Sequence, residues 1–402
     1  MTTFIPGTSA EVHEIVRWAA AEETPLEVIG HGTKQGIGRP VQAEHTLDLS
    51  RLAGVTLYEP EELVLAARAG TPLAEVEALL ARHGQRLAFE PMDYGPLLGG
   101  KAGRGTLGGV LGANLSGPRR IAAGAARDHI LGIDAVSGRG EAFKSGGRVV
   151  KNVTGYDLSK GLAGSWGTLA VVTDLVFKVL PAAETERTLA IAGLDDAQAA
   201  AAMAEAMGSD GEVSGAAHLP EGVIGRFLDG GFSGGPRTVL RVEGFGPSVA
   251  YRVERLGRRM KAHGAVEVLE EAQSRRLWRE IRDCRPFADG TDAPVWRVSM
   301  APMAGHRMLD AFRRAAGANA YYDWQGGLLW LRMEAEPKAE TLRTLIARCG
   351  GGHATLVRAT PALRAAVSVF QPQPPALVAL SARLKAQFDP RNILNPGRMA
   401  VA

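Results

Sequence analysis

Glycine is concentrated in one stretch of this 402-residue sequence. Between Gly95 and Gly167 there are 19 glycines in 73 residues, whereas the other 329 positions hold 31. The stretch has neither a three-residue repeat nor low complexity, and Val, Ile and Leu are interleaved through it, which indicates an ordered segment. Dense glycine in an ordered segment serves positive φ angles, or the close approach of backbone to a bulky phosphate or ring system.

Composition and charge exclude several classes of protein. The formal net charge of +3, from 46 basic and 43 acidic residues, is too balanced for a nucleic-acid groove or a polybasic membrane anchor. Cys284 and Cys349 are the two cysteines, so the chain alone provides neither a disulfide framework nor a four-cysteine zinc or iron–sulfur site. No apolar run reaches about 18 residues and no signal peptide is recognisable, so we expect neither a membrane span nor secretion.

The first 181 residues alternate predicted helices and strands. Apolar spacing predicts a helix that begins at Ser9, with Ser9 as its N-cap, and a strand at residues 26–29. A further helix should open at Thr71-Pro72, with the threonine as cap. A long β-branched strand ends at Pro181, where we place a domain boundary.

Residues 182–362 have a different rhythm, in which the order βαββαβ occurs twice. The first set comprises strands 185–192, 212–219, 237–243 and 265–269 with helices 196–207 and 248–263. The second comprises strands 294–300, 319–323, 328–333 and 353–359 with helices 303–316 and 337–348. This is the split βαβ pattern of ferredoxin-like folds, here duplicated, and it predicts an α+β fold with a ferredoxin-like cap domain. Residues 363–402, which include a helix at 375–386, form a third segment that should return to the first domain.

Two glycine loops are candidates for phosphate binding. Gly103 to Gly108 matches G-x-G-x-x-G, but no strand precedes it and Gly117-Pro118 leaves no room for a crossover helix, which argues against a dinucleotide-binding Rossmann unit. The loop from Gly30 to Gly36 does follow a strand and could present backbone N–H groups to a pyrophosphate. Taken alone, this loop could equally be a plain surface turn.

Three further blocks make the sequence recognisable. They are Thr106–Gly117, Gly124–Asp128 and Gly164–Thr173, in that order after the first glycine loop. Together with the tail Ile393-Leu-Asn-Pro-Gly397, they resemble the FAD-binding domain of the vanillyl-alcohol oxidase and p-cresol methylhydroxylase superfamily. Within it, residues 150–160 and the short cap are most similar to the FAD-binding E subunits of bacterial glycolate oxidases.

This resemblance implies a set of cofactor-binding residues. The first loop would cradle the pyrophosphate, the next block would line the pyrophosphate and flavin, and Asp128 would lie near the ribityl or adenosine part. Residues 167–172 would run along the adenine, and the tail asparagine would approach the isoalloxazine. The implied residues are Gly30, His31, Gly32, Thr33, Lys34, Thr106, Gly108, Gly109, Asn114, Asp128, Gly167, Thr168, Val172 and Asn395.

Two departures from the superfamily pattern bear on function. Members that attach FAD covalently through the first loop carry histidine where Thr33 stands, and the histidine here is His31, so we expect noncovalent FAD. The Gly-Asp-Gly-Asn-Leu-His block of catalytic 2-hydroxy acid oxidising relatives is absent. The cap histidines have no metal-ligand spacing. Arginines between Arg275 and Arg282 could clamp a substrate carboxylate or simply form a solvated helix face.

The resemblance implies an FAD-binding subunit of a glycolate (2-hydroxy acid) oxidase or dehydrogenase complex. Its expected partners are a homologous catalytic FAD subunit, an iron–sulfur subunit and a small 2-hydroxy acid substrate, with no nucleic acid. The expected location is the cytoplasm, with peripheral contact to the inner membrane through the complex. The alternatives are a self-sufficient FAD-dependent 2-hydroxy acid dehydrogenase and a non-catalytic scaffold with a vestigial flavin site. The residues alone do not assign a catalytic group.

Overall fold

The computed structural model describes residues 2–149, 155–232 and 234–399. Part of the recognised 150–160 block, at residues 150–154, therefore lies outside the described residues. Among the described helices, none combines the length and the apolar character needed to cross a bilayer.

The described part of the first 181 residues forms a three-stranded sheet, a five-stranded sheet and a two-stranded pair, flanked by short helices. A parallel sheet has the order β1-β3-β2, an antiparallel sheet has the order β4-β5-β9-β7-β8, and β6 pairs with β10. The strands are β1 (Thr2–Phe4), β2 (Leu26–Ile29), β3 (His45–Asp48), β4 (Val55–Glu59), β5 (Val64–Arg68), β6 (Gln85–Arg86), β7 (Ile130–Ser137), β8 (Ala142–Gly146), β9 (Ala170–Lys178) and β10 (Leu180–Pro181). The helices are α1 (Ser9–Ala21), α2 (Leu73–Arg82), α3 (Leu107–Gly112), α4 (Arg120–Ala123), α5 (Ala126–His129) and α6 (Leu158–Leu162).

Two helix caps differ from the sequence prediction. The N-cap of α1 is Thr8, whose side chain accepts a hydrogen bond from the backbone N–H of Glu11, and Ser9 is the first helical residue. The N-cap of α2 is Pro72 rather than Thr71. The Thr71 hydroxyl instead accepts from the backbone of Gly54 and donates to the carbonyl of Arg68, so a tertiary turn has displaced the local cap.

The cap is one eight-stranded sheet covered by helices. Its strands are β11 (Thr185–Ala192), β12 (Gly215–Leu219), β13 (Arg237–Gly244), β14 (Val266–Leu269), β15 (Val295–Met300), β16 (Ala318–Asp323), β17 (Leu328–Met333) and β18 (Gly352–Arg358). Its helices are α7 (Asp196–Met207), α8 (Glu221–Ile224), α9 (Gly246–Met260), α10 (Glu271–Arg282), α11 (Pro302–Arg313) and α12 (Ala339–Arg348).

The strand order of the cap is symmetric. It runs β14-β11-β13-β12-β16-β17-β15-β18. If the four strands of each half are numbered 1 to 4 in sequence order, both halves have the order 4-1-3-2 from the edge of the sheet to its centre. The halves meet at the single register pair His218 and Tyr322. Such an order is the one that a duplicated split βαβ unit forms.

The last segment returns to the first domain. It contains α13 (Pro361–Ala366) and α14 (Pro375–Phe388), after which Leu394 forms a parallel bridge with Leu26. None of the residues of α14, all of which are described, is buried. Sheet membership changes between β10 and β11, which supports the boundary at 181/182, and the three-segment division stays a prediction.

A buried ion-pair cluster fastens the cap to the first domain. Arg241 on β13 donates from both terminal nitrogens to Glu90, at 2.9 Å each. Arg119 pairs with Glu90 at 3.0 Å and also with Glu243 on β13. Because carboxylates and guanidinium groups satisfy one another here, their burial between the domains is possible. We call Glu90, Arg119, Arg241 and Glu243 the interdomain ion cluster.

Candidate flavin site

An open cleft lies where the first glycine loop, α3 and the segment before β9 meet. Ten of the fourteen predicted site residues line it, namely Gly30, His31, Gly32, Thr33, Lys34, Thr106, Gly108, Gly109, Gly167 and Val172. The sequence therefore brings together residues from three separate glycine-rich blocks.

The glycines of this cleft allow close contact between the loop and α3. A Cβ atom at Gly30 would lie 2.6 Å from the hydroxyl oxygen of Thr106, which is nearer than side chains pack. A Cβ at Gly109 would lie 3.0 Å from the ammonium nitrogen of Lys34. Gly32 has φ +71°, in the left-handed region that favours glycine. Because these glycines carry no side chain, backbone atoms form this part of the cleft surface.

Positive charge is concentrated beside the loop. Lys34 lines the cleft, and burial lowers its pKa to about 8, an effect that Asp93 opposes and Arg398 increases. Arg398 also lines the cleft and donates from Nη2 to the carbonyl oxygen of Lys34 at 2.8 Å. The nearest carboxylate that pairs with Arg398 in the described chain is Glu27, at 4.0 Å. Burial lowers the pKa of Arg398 to about 10.

A third cation stands behind the same loop. Arg364 on α13 donates from Nη1 to the carbonyl oxygen of Gly38 at 2.8 Å. The Nε atoms of Arg364 and Arg398 are both buried and have no hydrogen-bond partner among the described residues. Three cations around one loop, against the carboxylates of Glu27 and Asp93, leave an excess of positive charge. A pyrophosphate would supply the missing negative charge.

Asn395 supports the cleft without lining it. Its Oδ1 accepts from the backbone N–H of Val28 at 2.8 Å, and its Nδ2 donates to the carbonyl oxygen of Trp166 at 2.9 Å. The residue is 1% exposed. Val28 and Trp166 both line the cleft, so Asn395 fixes two of its walls. An approach of Asn395 to the isoalloxazine remains a prediction.

Three other predicted residues do not line the cleft. The side chain of Asn114 accepts from the backbone N–H of Arg127 at 3.0 Å. Asp128 caps its own short helix by accepting from the backbone of Ala125 at 2.9 Å. Thr168 donates to the carbonyl of Ser165 at 2.7 Å. These contacts are local, and a role of the three residues in binding FAD stays a prediction.

Sequence reasoning missed several cleft residues. Arg398 stands directly after the recognised Ile393–Gly397 tail, and Trp166 stands inside the recognised 164–173 block, so both had a signal nearby. Of the apolar wall, Leu111 and Val171 also lie inside recognised blocks, whereas the other residues look like ordinary core positions and gave no signal. That wall is formed by Val28, Leu49, Leu111, Leu162 and Val171.

The arginines of α10 pair with carboxylates of the chain itself. Arg275 pairs with Glu271 at 2.8 Å, and Arg282 pairs with Asp283 at 2.8 Å. Arg279 is exposed. The solvated-face interpretation therefore fits Arg275 and Arg279, whereas the Arg282 side chain is only 17% exposed and also pairs with Glu77 of the first domain. Among the described residues, no group of three or more His, Cys, Asp or Glu side chains could hold a metal ion.

One buried carboxyl group between the domains has unusual acid–base character. Asp323 is almost fully buried, and burial raises its pKa to about 7 while Arg241 and Arg297 lower it. The next residue, Trp324, donates from its indole to the carbonyl of Gly117 in the glycine segment at 2.9 Å. A carboxyl group that titrates near neutrality can accept a proton. Sequence reasoning gave no sign of it.

Comparison with known proteins assigns the family. Residues 2–146 match the family described as "FAD binding domain", and residues 370–399 match "FAD linked oxidases, C-terminal domain". The chain is 33% identical over 386 residues to glycolate oxidase subunit GlcE of Escherichia coli, covering 96% of this chain and 95% of that protein. It is 26% identical to glycolate oxidase subunit GlcD of Bacillus subtilis, covering 98% of this chain and 87% of that protein.

Solved structures give the same fold. p-Cresol methylhydroxylase with substrate bound superposes with a TM-score of 0.72 at 14% identity, covering 99% of this chain and 88% of that one. Alkyldihydroxyacetonephosphate synthase gives 0.67 at 16% identity, covering 98% and 76%. The predicted fold class and the FAD cofactor are thereby confirmed. The chain belongs to the FAD-linked oxidoreductase family that includes the GlcE subunits of glycolate oxidase.

Proposed function

We propose that this chain is the FAD-binding subunit of a complex that oxidises glycolate or a similar 2-hydroxy acid. The observation that carries the proposal is the near full-length similarity to a glycolate oxidase subunit, in a chain whose cleft matches the chemistry of FAD. When bound, FAD supplies a two-electron acceptor. The chain's own contribution is to bind and orient that cofactor.

Binding would rest on the glycine loop and its cations. Lys34 and Arg398 line the cleft and would pair with the pyrophosphate, and Arg364 would hold the loop from behind. Because charge-assisted hydrogen bonds are about twice as strong as neutral ones, these groups should contribute much of the affinity. Asn114, Asp128 and Thr168 would act at the edges of the site, and Asn395 would position its walls.

We infer that the FAD is bound without a covalent link. Thr33 stands at the linkage position of covalent members, and His31 directs Nδ1 at the carbonyl oxygen of Arg104, 2.9 Å away. That contact orients the imidazole ring and uses one of its two nitrogens. It supports a structural role for His31 in joining the first loop to the glycine segment.

The proposed partners are a homologous FAD subunit, where the substrate is oxidised, and an iron–sulfur subunit. The relatives named GlcE and GlcD are both glycolate oxidase subunits, and both align with nearly the whole chain. With two cysteines, this chain cannot itself provide the four thiolates of a common iron–sulfur cluster. We place the complex in the cytoplasm, with peripheral contact to the inner membrane.

Asp323 gives substance to the alternative of a self-sufficient dehydrogenase. It is a buried carboxyl group whose pKa burial raises to about 7, so it could take a hydroxyl proton from a substrate that reached it. A substrate would have to reach this interdomain position beside the ion cluster. The self-sufficient enzyme therefore remains the second candidate.

Anaerobic mixing of the isolated, FAD-loaded chain with glycolate and with D-lactate tests the proposal. We expect the flavin absorbance to stay unchanged, because the substrate site belongs to the partner. Stoichiometric bleaching by either acid would move the reaction into this chain, and loss of bleaching in Asp323→Asn would then identify the base. A chain that binds no flavin would indicate the scaffold.

A further inference from the structure

Helix α14 carries an apolar stripe that nothing in the described chain covers. Leu377, Leu380 and Leu384 are 48%, 59% and 42% exposed. Their spacing of three and four residues places them on one face of the helix. We call these three residues the leucine stripe. A single exposed leucine is ordinary, but a row of them on one helix marks an interaction surface.

The stripe belongs to a helix that is held firmly at its end. Phe388 packs against Phe143 with ring centroids 5.9 Å apart. Lys385 donates to the carbonyl oxygen of Thr168 and to Asp389, at 2.6 Å each. Thr168 follows directly on Gly167 of the cleft wall. The helix is therefore fixed next to the flavin site while its leucines face solvent.

The charges of α14 indicate what kind of surface it fits. The helix has no acidic residue, and no carboxylate of the described chain pairs with Arg383. A second copy of this helix would therefore bring like charges together. A membrane-surface helix carries a polar face rich in Lys and Arg. In α14 the two cations are Arg383 and Lys385, and Lys385 already pairs with Asp389. The helix is therefore poor in free cations for a membrane surface, and Arg383 is left to pair with a carboxylate of a protein partner.

We propose that the leucine stripe docks in an apolar groove, edged by carboxylates, on the homologous flavoprotein subunit. This inference rests on the proposed function, in which two flavoproteins of one fold act together. A helix of 14 residues is about 21 Å long, which suits the helix-in-groove mode of recognition. Docking would place the partner next to the wall of the flavin cleft, because Lys385 of α14 contacts Thr168, which follows Gly167 of that wall.

Co-purification with the homologous flavoprotein subunit of the same organism tests the docking. The tagged chain is co-expressed as wild type, as Leu377→Glu/Leu380→Glu, and as the control Phe245→Glu. Phe245 is 65% exposed on the cap, so it tests for a general effect of a new surface carboxylate. We expect the double variant to recover at least tenfold less partner, with unchanged flavin content and melting temperature, and the control to match wild type.

The outcomes separate this inference from the function on which it rests. If the wild type recovers the partner and the double variant does so equally well, the docking surface is wrong and the subunit function stands. If the wild type recovers no partner, the proposed complex fails. Stripe-dependent self-association of the isolated chain, or stripe-dependent binding to anionic phospholipid vesicles, would also overturn the protein-groove assignment.

Discussion

The side-chain oxygen of Asn395 accepts a hydrogen bond from the backbone of Val28, 367 positions earlier in the sequence. The same side chain donates to the carbonyl oxygen of Trp166. One buried amide thus joins the strand before the glycine loop, the segment before β9 and the tail. Its acceptor and donor ends have different partners, so each end can be tested separately.

Asn395→Asp should weaken both the fold and FAD retention. The substitution keeps the side-chain shape but turns a carboxylate oxygen toward the carbonyl of Trp166, and an unsatisfied buried group costs about 1–3 kcal/mol or more. Urea unfolding and flavin content measure the two effects. Because protonation would restore a donor, the loss of stability should shrink as the pH falls. The exposed Gln373→Glu serves as control, and a wild-type flavin content in N395D would contradict the positioning role.

Gly109→Val should lose flavin while the chain stays folded. A Cβ at this position meets the ammonium group of Lys34, which can move, rather than rigid backbone. The added methyl groups would then enter the cleft. Far-UV circular dichroism and flavin absorbance give the two readouts. Gly161→Val, where a Cβ has open space, is the matched control, and full flavin occupancy in Gly109→Val would demote the glycine to a packing residue.

FAD affinity should fall as the pH rises above about 8. The ammonium of Lys34 has its pKa lowered to about 8 in the free chain, and only the charged form pairs with a phosphate. In Lys34→Met this pH dependence should disappear and affinity at pH 7 should fall about tenfold or more, consistent with a charged hydrogen bond of about 1.5–3 kcal/mol. Fluorescence titration at pH 7, 8 and 9 measures it.

The same group makes the opposite prediction for the stability of the FAD-free chain. The pKa of Lys34 is lower in the folded state than in the unfolded state, whose usual value is 10.5. Between about pH 8 and 10.5 the unfolded chain binds more protons, so this lysine's contribution to stability rises with pH. In K34M that contribution should be missing, as pH-dependent urea midpoints would show.

Acid precipitation should release all the flavin into the supernatant. Thr33 cannot form the histidyl link of covalent relatives, and His31 is engaged with the carbonyl of Arg104. Absorbance of the supernatant and the pellet measures the distribution. Flavin that stays in the pellet of the wild type but not of His31→Ala would identify His31 as an attachment point.

Arg241→Met should destabilise the chain by about 3–5 kcal/mol. It leaves Glu90 between the domains without its bidentate partner, and breaking a buried ion pair from one side has that cost. The double variant with Glu90→Gln should recover part of the loss, because no uncompensated carboxylate remains. Urea unfolding of both variants measures this, and a single variant of wild-type stability would show that the pair contributes nothing net.

Local patterns were sufficient to predict much of this fold. The strand at 185–192, the helix at 196–207 and the strand at 328–333 coincide with β11, α7 and β17, because periodicity there reflects which face is buried. The caps at Ser9 and Thr71 were wrong by one residue. At Thr71 a tertiary contact with Gly54 competes for the hydroxyl, which a linear pattern does not encode, whereas the cap of α1 is the local Thr8-x-x-Glu11 pattern one residue earlier.

The cleft was only partly predictable from sequence. Glycines show where backbone must approach closely, so Gly30 and Gly109 stood out. The interdomain ion cluster and Asp323 could not be recognised, because the residues that interact with them lie far away in sequence. The overall charge composition does not show which charged residues are buried. Burial gives these groups their chemistry, and burial follows from the fold as a whole.

The bridge between Leu394 and Leu26 also sets a time at which the cofactor can be acquired. Domains generally begin to fold from the N-terminus during synthesis. Here the first domain would emerge early, yet Arg398 and Asn395, which complete and brace its cleft, leave the ribosome only after the whole cap has been made. Nascent chains that still lack the segment after the cap should therefore hold FAD weakly, so tight flavin binding would have to follow synthesis of the cap.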